Sequence, residues 1–112
     1  MSYNSGMISH PERNEIHLEG VLHALSDPVR LGIVRELAEA GGERRCGSFV
    51  HAVTKSTMTH HFKVLREAGV IRQRQEATLR LTSLRREDLD TRFPGLLDRI
   101  LEAAEDEAVL RA

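Results

Sequence analysis

Apolar residues recur at helical spacing in four stretches of the chain and alternate with polar ones in a fifth. Leu18, Val21, Leu22 and Leu25 fall at i, i+3, i+4 and i+7 and form one stripe. Upstream, Ser9-His10-Pro11-Glu12 has the S-x-x-E spacing of a capping box, so a first helix is expected to start there and run to Leu25. Ser26-Asp27-Pro28 breaks it. Asp27 suits an N-cap and Pro28 the first helical position, which predicts a second helix to about Ala40 with Val29, Ile33, Val34 and Leu37 inward and Gly41-Gly42 as its stop. Arg44 to Val53, whose large apolar residues are Phe49, Val50 and Val53, reads as one short helix. Val53-Thr54-Lys55 leaves room for a tight turn. Thr54 or Ser56 then caps a helix to about Ala68, with Met58, Phe62 and Leu65 on one face and Gly69 at its end. Two helices joined by about three residues make a helix-turn-helix. Val70 to Gln75 and Thr78 to Thr82 read as strands about Glu76-Ala77, Leu84 to Asp90 as a helical turn or two, and Pro94 opens a last helix striped by Leu96, Leu97, Ile100, Leu101, Ala104 and Ala108.

These elements fit one domain over residues 1–112, mainly α with a small β-hairpin. It is divided into an N-terminal helix within 1–25, a helix-turn-helix over 46–68, a hairpin over 70–82 and a C-terminal helix over 94–110. At 112 residues and 40% hydrophobic composition there is room for a single small core, which excludes a multidomain enzyme. No apolar run approaches the ~18 residues of a membrane span. Met1 to His10 carries neither a basic nor an apolar leader, so a cytoplasmic location is expected. A single cysteine forbids an internal disulfide and leaves stability to the core, extended by a partner subunit as in many chains this small.

The net charge of −1 conceals a strong segregation. Met1 to Glu43 has three basic residues against seven acidic, and Glu87 to Ala112 three against eight, whereas Arg44 to Arg86 has ten against two. A basic segment between acidic ones is the electrostatic footprint of a nucleic-acid face. With Met58, Phe62 and Leu65 inward, Ser56, Thr57, Thr59, His60 and Lys63 face outward, a set of compact donors suited to base edges. Lys55 and Arg66 suit phosphates, and Arg72, Arg74 and Arg80 on the hairpin can reach the neighbouring groove or backbone as a wing does.

Two stretches, Leu22-His23-Ala24-Leu25-Ser26-Asp27-Pro28-Val29-Arg30-Leu31-Gly32-Ile33-Val34-Arg35-Glu36-Leu37 and Lys55-Ser56-Thr57-Met58-Thr59-His60-His61-Phe62-Lys63-Val64-Leu65-Arg66-Glu67-Ala68-Gly69-Val70-Ile71, resemble the ArsR/SmtB family of bacterial repressors, and the order of elements matches from about Leu18 to Leu101. The resemblance implies a winged helix-turn-helix that forms a homodimer through its first and last helices. It also implies binding to an inverted-repeat double-stranded DNA operator and release by an effector. Ser56, Thr57, Thr59, His60 and Lys63 would lie on its recognition helix.

The sequence departs from the metal-sensing members of that family. Cys46 has no cysteine neighbour to make a thiolate pair, and Arg92 to Ala112 contains no histidine. Asp98, Glu102 and Glu105 there are carboxylates alone, which suit hard ions. His10 and His17, two turns apart on a continuous first helix, are the candidates for a nickel or cobalt site completed from elsewhere. Cys46, flanked by Arg44 and Arg45, is the candidate for a thiol-redox switch if exposed. Of the other histidines, His60 reads as a DNA contact, His61 as a partly buried packing residue, and His23 and His51 as packing or solvent-facing. Ala77 stands where family hairpins place glycine, so the wing tip is expected to be a looser or longer loop.

A catalytic reading finds no glycine-rich phosphate loop, no nucleophile elbow and no paired carboxylates in an apolar setting. The chain is therefore expected to be a DNA-binding regulator and not an enzyme, with a winged-helix protein-interaction adaptor as the alternative.

Overall fold

The computed structural model describes residues 8–49 and 53–111. Its elements are α1 (Leu18–Leu25), α2 (Pro28–Ala40), β1 (Arg44–Arg45), α3 (Lys55–Glu67), β2 (Ile71–Glu76), β3 (Leu79–Leu84), α4 (Arg86–Arg92) and α5 (Leu96–Arg111), with single 3₁₀ turns at Arg13–Glu15 and Cys46–Ser48. The helices pack around Ile16, Val21, Leu25, Ile33, Val34, Leu37, Phe62, Leu65, Val70 and Ile71, and Leu89 and Leu97 join them from α4 and α5. The sheet is antiparallel in the order β1-β3-β2.

Local chemistry sets the middle helices. The Asp27 carboxylate accepts from the amides of Val29 (2.9 Å) and Arg30 (3.1 Å), and Gly41 closes α2 at φ 74°. Thr54 caps α3 by accepting from the Thr57 amide. At its other end Val70 N–H donates to Leu65 O and Gly69 N–H to Arg66 O, the paired bonds of a Schellman motif, with Gly69 at φ 85°. Where α1, α2 and α3 meet, Arg30 is buried. Its Nε donates to Ala24 O (2.7 Å) and its Nη1 to His61 Nδ1 (3.2 Å), while Asp27 Oδ2 lies 3.8 Å from the same ring nitrogen.

The N-terminal helix differs from expectation. A capping bond forms three residues late, from Glu12 N–H to Glu15 Oε1 (2.8 Å), and closes only one 3₁₀ turn before α1 begins at Leu18. The reason is Ile16, which is fully buried. Nine residues from Leu25, it would lie about 180° from Leu25 on a continuous helix and face solvent. Residues 1–7 of the expected N-terminal segment lie outside the described residues.

Arg44 to Val53 is not one helix over its described part. Arg44 and Arg45 pair with Thr82 and Leu81 as a third strand, and Cys46–Ser48 is a 3₁₀ turn. Val50, His51 and Ala52 lie outside the described residues. The hairpin tip is also tighter than expected. Glu76 pairs with Leu79, so Ala77-Thr78 is a two-residue turn and not a longer loop, and Ala77 takes a left-handed φ of 55°. The Gln75 side-chain amide donates to Ala77 O (3.1 Å) and braces the turn.

A Cβ on Gly69 would stand 2.5 Å from Ile16 Cγ1 at a positive φ, so Gly69→Ala combines backbone strain with overpacking. Urea unfolding should show a loss of about 2–4 kcal/mol. Ala77→Gly removes strain of about 1–2 kcal/mol and loosens the unfolded chain, so the same measurement should show a gain of up to about 1 kcal/mol.

Candidate nucleic-acid interface

The cap and core contacts of α3 dictate which side chains it shows. His61, Phe62 and Leu65 are buried and Met58 half-buried, which leaves Lys55, Ser56, Thr57, Thr59, His60 and Lys63 exposed. They include the five outward positions expected from the sequence, together with Lys55; Arg66, expected with Lys55 at phosphates, is half-buried. Their hydroxyls are partly committed. Thr54 donates to Thr57 Oγ1 (2.8 Å), and Thr59 donates to Lys55 O (3.1 Å), so Thr59 offers a partner its lone pairs and Thr57 its proton. The N-terminal amides of α3 add a positive dipole end to the same surface.

The hairpin arginines do not form one group. Register pairs Gln73 with Thr82 and Gln75 with Arg80, so Arg80 shares the sheet face of the buried Gln73 and Thr82, towards α3. Arg72 and Arg74 stand on the opposite face. Arg74 makes a bidentate pair with Glu43 (2.6 and 2.8 Å) and lies 3.4 Å from Glu76. The bond to Glu43 raises the Arg74 pKa and holds the Glu43 carboxyl below its usual value. Arg72 lies 3.8 Å from Asp88. Arg66 is half-buried and donates to Gln73 Oε1 (2.7 Å).

Gln73 is the residue that sequence reasoning missed. Its side chain is buried, with Nε2 donating to Cys46 Sγ and Thr82 Oγ1 (3.2 Å each) and Oε1 accepting from Arg66, so one amide ties the turn after β1, the sheet and α3 together. Its signal in the sequence is a polar side chain at an inward position of an alternating strand.

The candidates for effector chemistry are also placed differently. His10 and His17 do not share a helix. His10 lies in the segment before the first 3₁₀ turn, and its Nε2 accepts from the Gln73 backbone N–H (2.9 Å). Burial, and then the nearby guanidiniums of Arg72, Arg85 and Arg66, lower the His10 pKa. Its lone pair is thus engaged and its surroundings repel a cation, while His17 is the exposed N-cap of α1. Among the described residues no group of three or more His, Cys, Asp or Glu is placed to hold a metal ion. Cys46 is half-buried, bonded to Gln73 and 3.1 Å from Thr82 Oγ1. Arg44 turns away from it, donating to Glu36 and Ser48 O and stacking 4.5 Å over Phe49. No described helix is long and apolar enough to cross a membrane.

Asp88 holds the base of the wing. It accepts from Arg13 Nε (2.6 Å) and Arg85 Nε (2.8 Å), and the buried Arg85 also donates to Pro11 O (2.9 Å). Burial raises the Asp88 pKa, but the bonds from Arg13 and Arg85 outweigh it and the net shift is downward.

A family model described as a helix-turn-helix domain matches residues 25–74. The chain is 38% identical over 82 residues to YceK of Bacillus subtilis, an uncharacterized HTH-type transcriptional regulator, covering 71% of this chain and 82% of that one. It is 35% identical over 60 residues to an uncharacterized HTH-type transcriptional regulator of Methanocaldococcus jannaschii, covering 52% and 66%. Among solved structures, an ArsR family transcriptional regulator, RHA00566, superposes with a TM-score of 0.60 at 18% identity over 85% of this chain and 97% of that one. The transcriptional repressor BigR from Xylella fastidiosa superposes with a TM-score of 0.55 at 28% identity, over 68% and 85%.

A carboxylate whose folded pKa is depressed adds stability that is present above the unfolded value of about 4 and is lost as pH falls through the folded value. Asp88→Asn should therefore cost about 1–3 kcal/mol at pH 7 and less at pH 3, as measured by urea unfolding at the two pH values.

Proposed function

The chain belongs to the ArsR-like winged helix-turn-helix transcriptional regulators, and on that premise we propose that it is a cytoplasmic repressor that binds an inverted-repeat operator as a homodimer. In this reading Ser56, Thr57, Thr59 and His60 read base edges from α3 in the major groove, and Lys55, Lys63 and Arg66 hold phosphates. Arg80 reaches the adjacent backbone from the hairpin, while Arg72 and Arg74, on the far face and paired with acids, serve mainly to shape it.

The observation that carries the proposal is the exposed face of α3, polar and basic along its first nine residues, with its acid, Glu67, confined to the far end. The likeness to BigR, a transcriptional repressor, supports repression. The dimer is supported by apolar side chains left outside on the end helices: Leu18 and Leu22 on α1, Val109 and Leu110 on α5. A second protomer pairing α1 and α5 with their copies would cover them and keep the acidic termini away from DNA.

Fluorescence anisotropy with the duplex upstream of the protein's own coding sequence tests this. Log affinity should fall linearly with log salt. Thr59→Ala or His60→Ala should weaken the specific site by about 5- to 150-fold, from about 1–3 kcal/mol per base contact, with little change on random DNA. Lys63→Ala should weaken both and reduce the salt slope by about 1 per protomer. Binding indifferent to salt and to all three changes would discard the proposal in favour of a protein-interaction adaptor.

A further inference from the structure

Between α3 and the sheet lies a cavity of about 240 Å³. Met58 and Phe62 line it from α3, and Cys46, Gly47 and Gln73 from the opposite side. Its remaining lining includes four cations: Lys55, Lys63 and Arg66 of α3 and Arg80 of β3. No described lining residue is acidic.

These cations differ from five of the other six basic residues of the middle segment. Arg44, Arg74, Arg85 and Arg86 are each bonded to a carboxylate, and Arg72 lies 3.8 Å from one. Among the described residues, Lys55, Lys63 and Arg80 have no ion pair, and Arg66 meets only the neutral amide of Gln73. Of the five cations of the middle segment without a carboxylate partner among the described residues, four therefore surround this partly apolar cleft, and the fifth, the exposed Arg45, lies outside it.

We propose that this cleft binds a small amphipathic organic anion, a carboxylate or sulfonate on an aromatic or branched aliphatic body. Each part of that description answers a feature of the site. The cations need a negative head. Met58 and Phe62 need an apolar body, which inorganic phosphate or a DNA phosphate lacks. The volume, below the ~300–1,000 Å³ of sites for drug-sized ligands, limits the body to about one ring or a short branched chain. Because Lys55, Thr59 and Lys63 also belong to the proposed DNA face, an occupied cleft and bound DNA exclude each other. That second statement rests on the proposed function; anion binding does not.

The test is a titration of the ¹⁵N-labelled protein with sodium benzoate, sodium 3-methylbutanoate, benzamide and sodium phosphate at constant ionic strength, followed by amide chemical shifts. Benzoate or 3-methylbutanoate should give saturable shifts at Gly47, Phe62 and Gln73. Benzamide should bind at least tenfold more weakly, and phosphate should not saturate Phe62 or Gln73. Arg80→Met should weaken the organic anion at least fivefold, and Lys63→Met should do the same if the Arg80 variant loses its native spectrum. Unsaturable shifts with both anions, equal binding of benzamide, shifts confined to α5, or indifference to both variants would overturn the site. In anisotropy with the upstream duplex, benzoate should release DNA severalfold more than an equal concentration of chloride. Retention of DNA at saturating benzoate would overturn the competition. Failure of the protein to bind DNA at all would overturn the DNA reading, while the titration would still decide the cleft.

Discussion

The orientation of α3 hangs on a guanidinium buried where three helices meet. Arg30 leaves the first turn of α2, donates back to Ala24 O near the end of α1, and donates forward to His61 on α3. A buried cation is tolerated only when its donors are met. Here they are met by two carbonyls, Ala24 O and His23 O, and one imidazole, whose positions define the corner. Accepting from arginine holds His61 inward through Nδ1, and the helical turn of about 100° per residue points its neighbour His60 outward. Asp27 completes the corner by capping α2, with its carboxylate held below the usual pKa: burial opposes this, and the amides of Arg30 and Val29, then His61 and Arg30, outweigh it. The polar face of α3 is presented as it is because its opposite face is tied to this junction.

The same accounting of donors changes the meaning of the basic segment. Ten cations between Arg44 and Arg86 suggest a broad positive face. Several are consumed internally: Arg44 by Glu36, Arg74 by Glu43, Arg85 by Asp88 and Arg86 by Asp98. Such pairs tie β1 to α2, β2 to the loop before β1, and α4 to α5, and they cancel the charge they carry. Of the cations left over, Lys55, Lys63, Arg66 and Arg80 surround the cleft between α3 and β3, and Arg45 stands outside it. Charge counted along the chain marks a whole segment as basic, and charge counted after pairing leaves most of the unpaired cations around one groove.

The segment before α1 shows where legibility ended. Its capping pattern was real, yet the helix it announced stops after one turn, because Ile16 must be buried against Gly69. The break turns the segment into a strap. His10 accepts from Gln73 N–H on the edge strand β2, Arg85 holds Pro11 O, and Arg92 donates twice to Ile16 O (2.6 and 3.1 Å). Partners up to 76 residues apart close this strap, and none is visible to a local pattern. The histidine that looked like a metal ligand is in fact the group covering a sheet edge.

By itself the sequence determined the helices whose ends are capped locally, α2 between Asp27-Pro28 and Gly41 and α3 between Thr54 and Gly69, together with the outward set of α3. Caps and periodicity act within a few residues, and they were readable for that reason. Only the tertiary structure decided the strap, the third strand at Arg44–Arg45, the left-handed Ala77, the role of Gln73 and the division of the hairpin arginines between two faces. Each of these is set by a hydrogen bond, a register or a buried volume shared between distant parts of the chain, and burying a polar or charged group is settled by whichever partner the fold brings to it.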